Sequence, residues 1–364
     1  MLTTSIFKKN LLRFIYPFDR IKSNSWPKFS KLILKKEGSS WVLDELHDEF
    51  NNFFSSINMP VVNDRFIFNS RDQLLFLLSK YEALYNLNKF NHNIYFPYFH
   101  GNPNTDNQFK SLFKIIENSH QKISGIQVTN SVMENLILNT GIEKKKVFRI
   151  PISIDINKFS NTQSLDKNLL RKKIKIPESS FVIGSFQKDG NGWNEGFEPK
   201  MIKGPDIFIK VLKKLKSNIK EIFVLLTGPS RGYLKKELDK INIPYKHYIL
   251  DNYDEIYKFY KTLDLYLITS REEGGPRALF ESMICSIPCV TTNVGMAIDL
   301  VEHNKNGWKV EPEDIDGLIY WSNYVYQNLN SIESVIREAK LTVLKNSYES
   351  QKKLWLEFFG FSKK

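Results

Sequence analysis

The chain has 364 residues, 41% hydrophobic and 25% charged, with Lys+Arg 52 against Asp+Glu 40. That length predicts two domains of roughly 150–200 residues, and the apolar share excludes a disordered chain. No uncharged apolar run reaches the roughly 18 residues of a membrane-spanning helix, and Met1–Asn10 lacks the apolar stretch of a secretory signal. The net charge of +12 is uneven. Met1–Lys36 carries Lys8, Lys9, Arg13, Arg20, Lys22, Lys28, Lys31, Lys35 and Lys36 against Asp19 alone, interleaved with Phe14, Tyr16, Phe18 and Trp26. Such a mixture suits an anionic membrane surface; a solvated basic entry to the domain accounts for it equally. Nucleic acid is not expected, because no RNP, zinc-finger or KH signature accompanies the charge.

Leu32–Leu34 reads as a strand. Trp41, Leu43, Leu46, Phe50, Phe53 and Phe54 follow at helical spacing, with Ser39 or Ser40 placed to cap the helix. Strands are predicted at Arg65–Phe68, Ile94–Phe99 and Gly125–Val128, and helices at Gln108–Ile116 and Val132–Leu138. Asn161–Ser180, polar and lysine-rich, reads as a linker with a short helix. A second series then predicts strands at Phe181–Phe186, Ile222–Leu226, Lys246–Leu250, Leu265–Thr269 and Cys289–Thr292. Helices at Pro205–Leu215, Gly232–Asp239, Glu255–Lys261 and Arg277–Ile284 alternate with them. The last 35 residues read as helices at Ile332–Leu344 and Tyr348–Phe359. Strand–helix alternation signals parallel sheets with helices on both faces. The fold class is therefore α/β, with two Rossmann-like domains facing each other. Residues 1–160 form the first domain, 161–180 the linker and 181–340 the second, and 341–364 pack back on the first. Ligands of such domains bind at the C-terminal ends of the strands.

The strongest chemical signal is Glu272-Glu273-Gly274-Gly275-Pro276-Arg277-Ala278-Leu279-Phe280-Glu281, between an apolar strand and an amphipathic helix. Gly274 and Gly275 let a ligand approach the backbone, and the helix N-terminus offers N–H groups to an anion. Carboxylates are poor phosphate ligands and good acceptors from sugar hydroxyls. The physical reading is therefore a sugar nucleotide, with phosphates on amides and cations and hydroxyls on Glu273 and Glu281. An acidic pair favoured by the helix dipole, with Glu281 a solvated helix residue, fits the spacing too.

Glu273-x7-Glu281, followed by Ser286-Ile287-Pro288-Cys289-Val290 and Asn293-Val294-Gly295, resembles the signature of family-4 (group 1) retaining glycosyltransferases, which have the GT-B fold. Ile202-Lys203-Gly204-Pro205-Asp206 resembles their Lys-Gly-x-Asp helix start. Arg149-Ile150-Pro151-Ile152-Ser153-Ile154-Asp155 through Phe159 resembles the segment closing their N-terminal domain. Asn306-Gly307-Trp308 resembles the turn after their last donor-site strand. The resemblance covers about Gln127 to Glu313. It implies transfer of a hexose-type sugar from a nucleotide diphosphate sugar, with retention and by front-face displacement, to a saccharide or lipid-linked acceptor. It further implies that Glu273 binds donor-sugar hydroxyls, that the Gly274 and Gly275 amides lie near the diphosphate, that Glu281 holds the ribose and that Lys203 neutralises the leaving diphosphate. The family's second cation is an arginine just after the first strand of the domain; here Gln187-Lys188 stands there, so Lys188 is the candidate. Gly228 after the second strand joins the donor contacts, and base recognition is expected near His247–Asp251. Domain closure would bring His100 to Lys188 and Lys203 around the donor.

Two departures stand out. Asp189–Lys200 inserts residues between the two cations, as a lid, a pocket wall or a flexible surface loop, and Ser153 replaces a common glycine. On the N-terminal side, Gly38 occupies the first strand-to-helix loop, as a diphosphate contact or part of a plain helix cap. His100 ends a strand where related enzymes place a histidine beside the donor sugar; a lone structural histidine is the other reading. Glu45, Asp48 and Glu49 read as solvated. Asp314-Ile315-Asp316 lies away from any nucleotide loop, and no metal or other cofactor is expected. Cys285 and Cys289 are too few for a disulfide framework or a four-ligand zinc site; they read as buried packing in a reducing cytoplasm, with the protein peripheral at the inner membrane face if the basic segment binds there. A GT-B epimerase or hydrolase would use similar nucleotide contacts, and a non-catalytic basic membrane- or nucleic-acid-binding module would keep only the fold.

Overall fold

Short apolar runs between amphipathic helices become parallel strands when both faces of each strand are buried under helices. The computed structural model describes residues 31–35, 41–59, 61–63 and 73–361. The basic residues before Lys31, together with Gly38, the Ser39/Ser40 cap and the expected strand Arg65–Phe68, lie outside them. The chain separates into two compact units, one of residues up to Gln127 with Leu136–Phe148 and Lys352 onward, the other of Val128–Asn135 and Arg149–Gln351.

In the first unit β1 (Lys31–Lys35), β2 (Val61–Asn63), β3 (Gln73–Leu77), β4 (Asn93–Pro97), β5 (Ile123–Val128) and β6 (Val147–Arg149) form a sheet in the order β2-β1-β3-β4-β5-β6. The first five pair in parallel. The helices are α1 (Trp41–Ser56), α2 (Lys80–Tyr85) and α3 (Asn107–Asn118); α4 (Ser131–Leu138) belongs to the second unit up to Asn135 and to the first from Leu136. Two strands and a helix were not expected between α1 and β4. Leu74–Leu78 is an apolar run too short for its period to separate strand from buried helix, and Val61–Asn63 is only three residues long. Glu49, expected to be solvated, is 4% exposed. It shares α1 with Phe50 and Phe54, whose rings stack at 5.5 Å. Trp355 meets both edge-on, at 5.0 and 5.5 Å, and Phe358 and Phe359 close on Phe76 and Tyr95.

The second unit's sheet runs β12-β11-β10-β7-β8-β9 and is parallel throughout. It comprises β7 (Phe181–Ser185), β8 (Ile222–Thr227), β9 (Tyr245–Tyr248), β10 (Leu265–Ile268), β11 (Cys289–Thr292) and β12 (Trp308–Val310). The helices are α5 (Lys167–Lys173), α6 (Pro205–Asn218), α7 (Gly232–Lys240), α8 (Ile256–Tyr260), α9 (Arg277–Ile284), α10 (Ala297–Leu300), α11 (Ile315–Asn328) and α12 (Glu333–Lys345); α13 (Tyr348–Phe358) begins in this unit and belongs to the first from Lys352 on. Ile183, Val224, Leu226, Leu265, Leu267 and Val290 of the sheet pack with Ile207, Val211, Leu212 and Leu215 of α6 in one core. The expected turn at Asn306-Gly307-Trp308 leads directly into β12, whose central Lys309 interrupts the apolar run. Cys285 and Cys289 are both buried and form no disulfide.

The segment expected as a linker is fastened to this unit. Arg171 of α5 is buried and donates to the Thr262 and Ser180 carbonyls and to Asp264 at 2.6 Å. Lys167 pairs with the other Asp264 oxygen, also at 2.6 Å. Polar composition concealed this anchor, because buried guanidinium and exposed lysine look alike in a sequence.

Truncating Trp355, 1% exposed at the centre of the aromatic cluster, removes both ring contacts and volume. Trp355→Ala is expected to cost about 3–5 kcal/mol, read as a fall in the urea midpoint. A loss below about 1 kcal/mol would show that the cluster does not hold the first unit together.

Candidate functional site

Two loops meet at the C-terminal ends of β7 and β10. After β10 the chain runs as an irregular loop to Pro276, which caps α9 and has no N–H to leave unsatisfied. The other loop is the single 3-10 turn Met201–Lys203 before α6, closed by Gly204 at φ 63°. A side chain at Gly204 would overlap the Thr269 carbonyl oxygen, so glycine is required both for the left-handed conformation and for the close approach.

The turn is fastened to the loop along its length. The Arg271 and Glu272 amides donate to the Ile202 carbonyl at 2.8 and 3.1 Å, and Thr269 Oγ1 donates to the Gly204 carbonyl at 2.8 Å. Arg271 grips Asp206 with two guanidinium nitrogens, at 2.7 and 2.8 Å, and the Met201 carbonyl at 2.6 Å. It also pairs with Glu313. This docking brings Lys203 Nζ to 2.6 Å from Glu273 Oε2, while Ser270 Oγ donates to Glu273 Oε1 at 2.9 Å.

The residues following β7 complete the cluster. Gln187 Nε2 lies 3.4 Å from the Lys203 carbonyl. The Lys188 ammonium sits over the Trp193 ring, 3.7 Å from its centre, and burial holds its pKa below the ordinary lysine value. The inserted segment Asp189–Lys200 is not a free loop. Its arms pair antiparallel at Gly190 and Pro199, and the Gly232 and Tyr233 amides donate to the Glu195 and Gly196 carbonyls at 2.6 and 2.9 Å. At its base Asp189 is buried, 3.0 Å from Arg231 Nε. Burial raises the Asp189 pKa against the opposing pull of Arg231.

Gly274 and Gly275 are held from behind. Thr129 Oγ1 donates to the Gly274 carbonyl, and a Cβ on Gly275 would meet Ile152 and Met296. Glu281 is 1% exposed, not solvated. Its carboxylate accepts from the Tyr253 hydroxyl at 2.9 and 3.0 Å and from Tyr260 at 2.8 Å, with Arg277 Nε at 3.7 Å. Burial first, then the Glu281 charge, pushes Tyr260 well above the usual phenol value, so it remains a donor. Gly228 (φ 88°) accepts from His247 Nε2 at 2.7 Å, and burial lowers the His247 pKa.

His100 belongs to the first unit. Its ring meets Phe109 edge-on at 5.9 Å, and its carbonyl accepts from Lys80. Gly38 lies outside the described residues. Asp314 caps α11 by accepting from the Gly317 amide at 2.8 Å, and no group of three or more metal-ligating side chains occurs among the described residues. Sequence reasoning placed Lys203, Lys188, Gln187, Glu273, Gly274 and Gly275, which the structure gathers at these loops. It missed Arg271, Ser270, Thr129, Tyr253 and Tyr260, and gave no role to Asp206. Ser270 and Arg271, just before Glu273, and Asp206, inside the Lys203–Asp206 motif, lay close enough to a recognised motif to be found.

Residues 197–342 match the family model described as glycosyl transferases group 1. This segment is similar to the group 1 glycosyltransferases. The chain is 26% identical over 198 residues to the Escherichia coli UDP-Gal:alpha-D-GlcNAc-diphosphoundecaprenol alpha-1,3-galactosyltransferase, covering 52% of this chain and 48% of that protein. It is 23% identical over 157 residues to the Bacillus anthracis N-acetyl-alpha-D-glucosaminyl L-malate synthase, covering 42% and 38%. The chain thus spans about half the length, or less, of these curated relatives. The crystal structure of Anabaena HepE in complex with UDP-glucose superposes with TM-score 0.71 at 16% identity, over 90% of this chain and 98% of that one. Staphylococcus aureus TarM, solved with UDP, fondaparinux and alpha-GlcNAc-glycerol, gives 0.62 at 20% identity over 82% and 57%. The fold is GT-B, as the sequence resemblance implied. Among the described residues no helix is long and apolar enough to cross a membrane.

The Arg271–Asp206 bridge makes stability pH-dependent in a definite direction. Arg271 holds the Asp206 pKa below the ordinary carboxylate value, its hydrogen bonds being the largest cause. The bridge therefore contributes fully above the unfolded value, near about 3.9, and is lost as pH falls through the lower folded value. Asp206→Asn is expected to flatten the dependence of the urea midpoint on pH between about 5 and 3. An unchanged slope would show that Asp206 titrates alike in both states.

Proposed function

We propose that the protein transfers a hexose-type sugar from a UDP-sugar to a hydroxyl of a saccharide or lipid-linked acceptor, with retention at the anomeric carbon. The observation that carries this reading is the Lys203–Glu273 pair, held at the glycine loop by Ser270 and by the docked turn. An ammonium and a carboxylate at 2.6 Å neutralise each other until a diphosphate arrives. A diphosphate draws Lys203 away and frees Glu273 Oε2 to accept from a donor-sugar hydroxyl. Lys203 and Lys188 then stabilise the charge that develops on the leaving diphosphate, an interaction stronger in the transition state than in the ground state. Retention follows by front-face displacement, in which the leaving phosphate takes the acceptor proton.

Glu281 is read as the ribose contact. Its buried carboxylate is already aimed by Tyr260, and the Tyr253 hydroxyl holds the place a ribose hydroxyl would take. Uracil as the base is supported by the UDP-glucose bound to HepE and the UDP-Gal named for the E. coli relative. The diphosphoundecaprenol acceptor named for that relative supports a lipid-linked acceptor, and the basic, aromatic residues before Lys36 supply an anionic-membrane contact. Lysines supply the positive charge at the diphosphate, so no divalent metal or other cofactor enters this reading.

UDP at about 100 times its dissociation constant is expected to stabilise the protein by about 2.7 kcal/mol, with GDP, ADP and CMP giving less. Lys203→Gln and Glu281→Ala should each reduce the thermal shift, and EDTA should leave it unchanged. Product NMR from a UDP-hexose and an acceptor should show the donor's anomeric configuration. An inverted product would overturn retention, and free sugar with no acceptor product would replace transfer by hydrolysis.

A further inference from the structure

We infer that Lys200, the last residue of the inserted hairpin, is a third diphosphate-binding cation beside Lys188 and Lys203. This rests on reading the second unit as a nucleotide-sugar site. The placement follows from the backbone. The chain leaves the end of β7 through Lys188, makes its excursion, and returns to where it left. The Asn191 amide donates to the Glu198 carbonyl at 2.8 Å and the Lys200 amide to the Asp189 carbonyl at 2.7 Å. One turn later the Lys203 amide donates to the Lys200 carbonyl at 2.8 Å. Lys200 is thus bonded through its amide to the neighbour of Lys188 and through its carbonyl to Lys203.

The hairpin that carries it is fixed. Ser230 Oγ donates to the Gly192 and Asn194 carbonyls at 3.1 and 2.9 Å, and a Cβ on Gly190 or Gly196 would overlap the Ser230 backbone. Its Trp193 ring sets the direction of the Lys188 ammonium, a cation–π contact. A surface loop with no role in the site would need neither restraint.

Charge supplies the second argument. Glu273 is occupied by Lys203 and Ser270, Asp189 faces Arg231, and Glu195 pairs with Lys235 at 3.0 Å. Among the described residues neither Lys188 nor Lys200 has an ion pair. Lys200 is half-buried, and its pKa is lowered by that burial first, then by the charge of Lys203 and, further down, of Lys188, with Glu273 opposing. Two ammonium groups that act on a third, with one carboxylate opposing them, form a cluster that an anion of two or more charges completes. Two linked phosphates meet that requirement better than one.

The test is calorimetric titration of the whole chain with UDP, UMP and inorganic pyrophosphate, using Lys200→Gln, Lys200→Arg and, as reference, Lys203→Gln. Lys200→Gln is expected to weaken UDP and pyrophosphate about fivefold or more, the scale of one charge-assisted contact, and UMP by less. Lys200→Arg should stay within about twofold of the parent, because charge rather than shape is asked of the residue. A UDP affinity unchanged in Lys200→Gln while Lys203→Gln binds weakly would overturn the role of Lys200 and leave the donor site standing. Equal weakening in Lys200→Gln and Lys200→Arg, with a lowered thermal midpoint, would show a structural residue instead. A parent protein that binds neither UDP nor pyrophosphate would overturn the inference and the donor-site reading together.

Discussion

The two-pronged grip of Arg271 on Asp206 governs the geometry of the second unit's loops. Its partners lie 65 residues apart in sequence, one in the first turn of α6 and one just beyond β10. Joined, they set the backbone of the 201–204 turn against residues 269–272, and Lys203 and Glu273 meet as a result. An ion pair between two long side chains is a weak organiser when its ends are free to wander, because ordering them costs entropy. Here the backbone and Arg271 do the ordering, so the Lys203–Glu273 contact can be made or broken without rearranging the loops that carry it. A site that must exchange an internal partner for a ligand requires that property.

Glu273 and Glu281, eight residues apart, are placed in opposite circumstances. Glu273 sits before α9 on a loop, with polar neighbours and a lysine across from it. Glu281 is inside α9, covered by two tyrosines whose hydroxyls satisfy its lone pairs, so its burial is compensated. A phenol at Tyr260 whose pKa is raised by burial keeps donating beyond the ordinary phenol range. One carboxylate is therefore paired with a lysine on a loop, and the other is held in a fixed direction inside a helix.

The second unit was largely legible in the sequence because β7, β8, β10 and β11 are buried on both faces and read as mostly apolar runs. Ile222–Thr227 and Leu265–Ile268 differ from expectation by no more than a residue at either end. The glycine loop between β10 and α9 carried its own signal, a turn where two residues have no side chain. Legibility failed where identity is local but meaning is not. Arg171 looks like any lysine-rich linker residue until Asp264 is beside it. Tyr253 and Tyr260 lie in two short helical segments with nothing nearby to point to Glu281. The 189–200 segment has the composition of a loose loop, and its restraints come from Ser230, Gly232 and Tyr233, some forty residues onward. Short strands such as β12, with Lys309 at its centre, offer too few positions for any period to register.

The aromatic cluster of the first unit has a consequence for the order of events during synthesis. Phe50, Phe54 and Phe76 leave the ribosome early, whereas Trp355, Phe358 and Phe359, which cover them, follow some 280 or more residues later. At elongation rates of about 5–20 residues per second the delay is on the order of 15–60 s. Through that interval the nascent first sheet presents a bare aromatic face while most of the second unit is being made. An aromatic face made early is thus completed by residues made late.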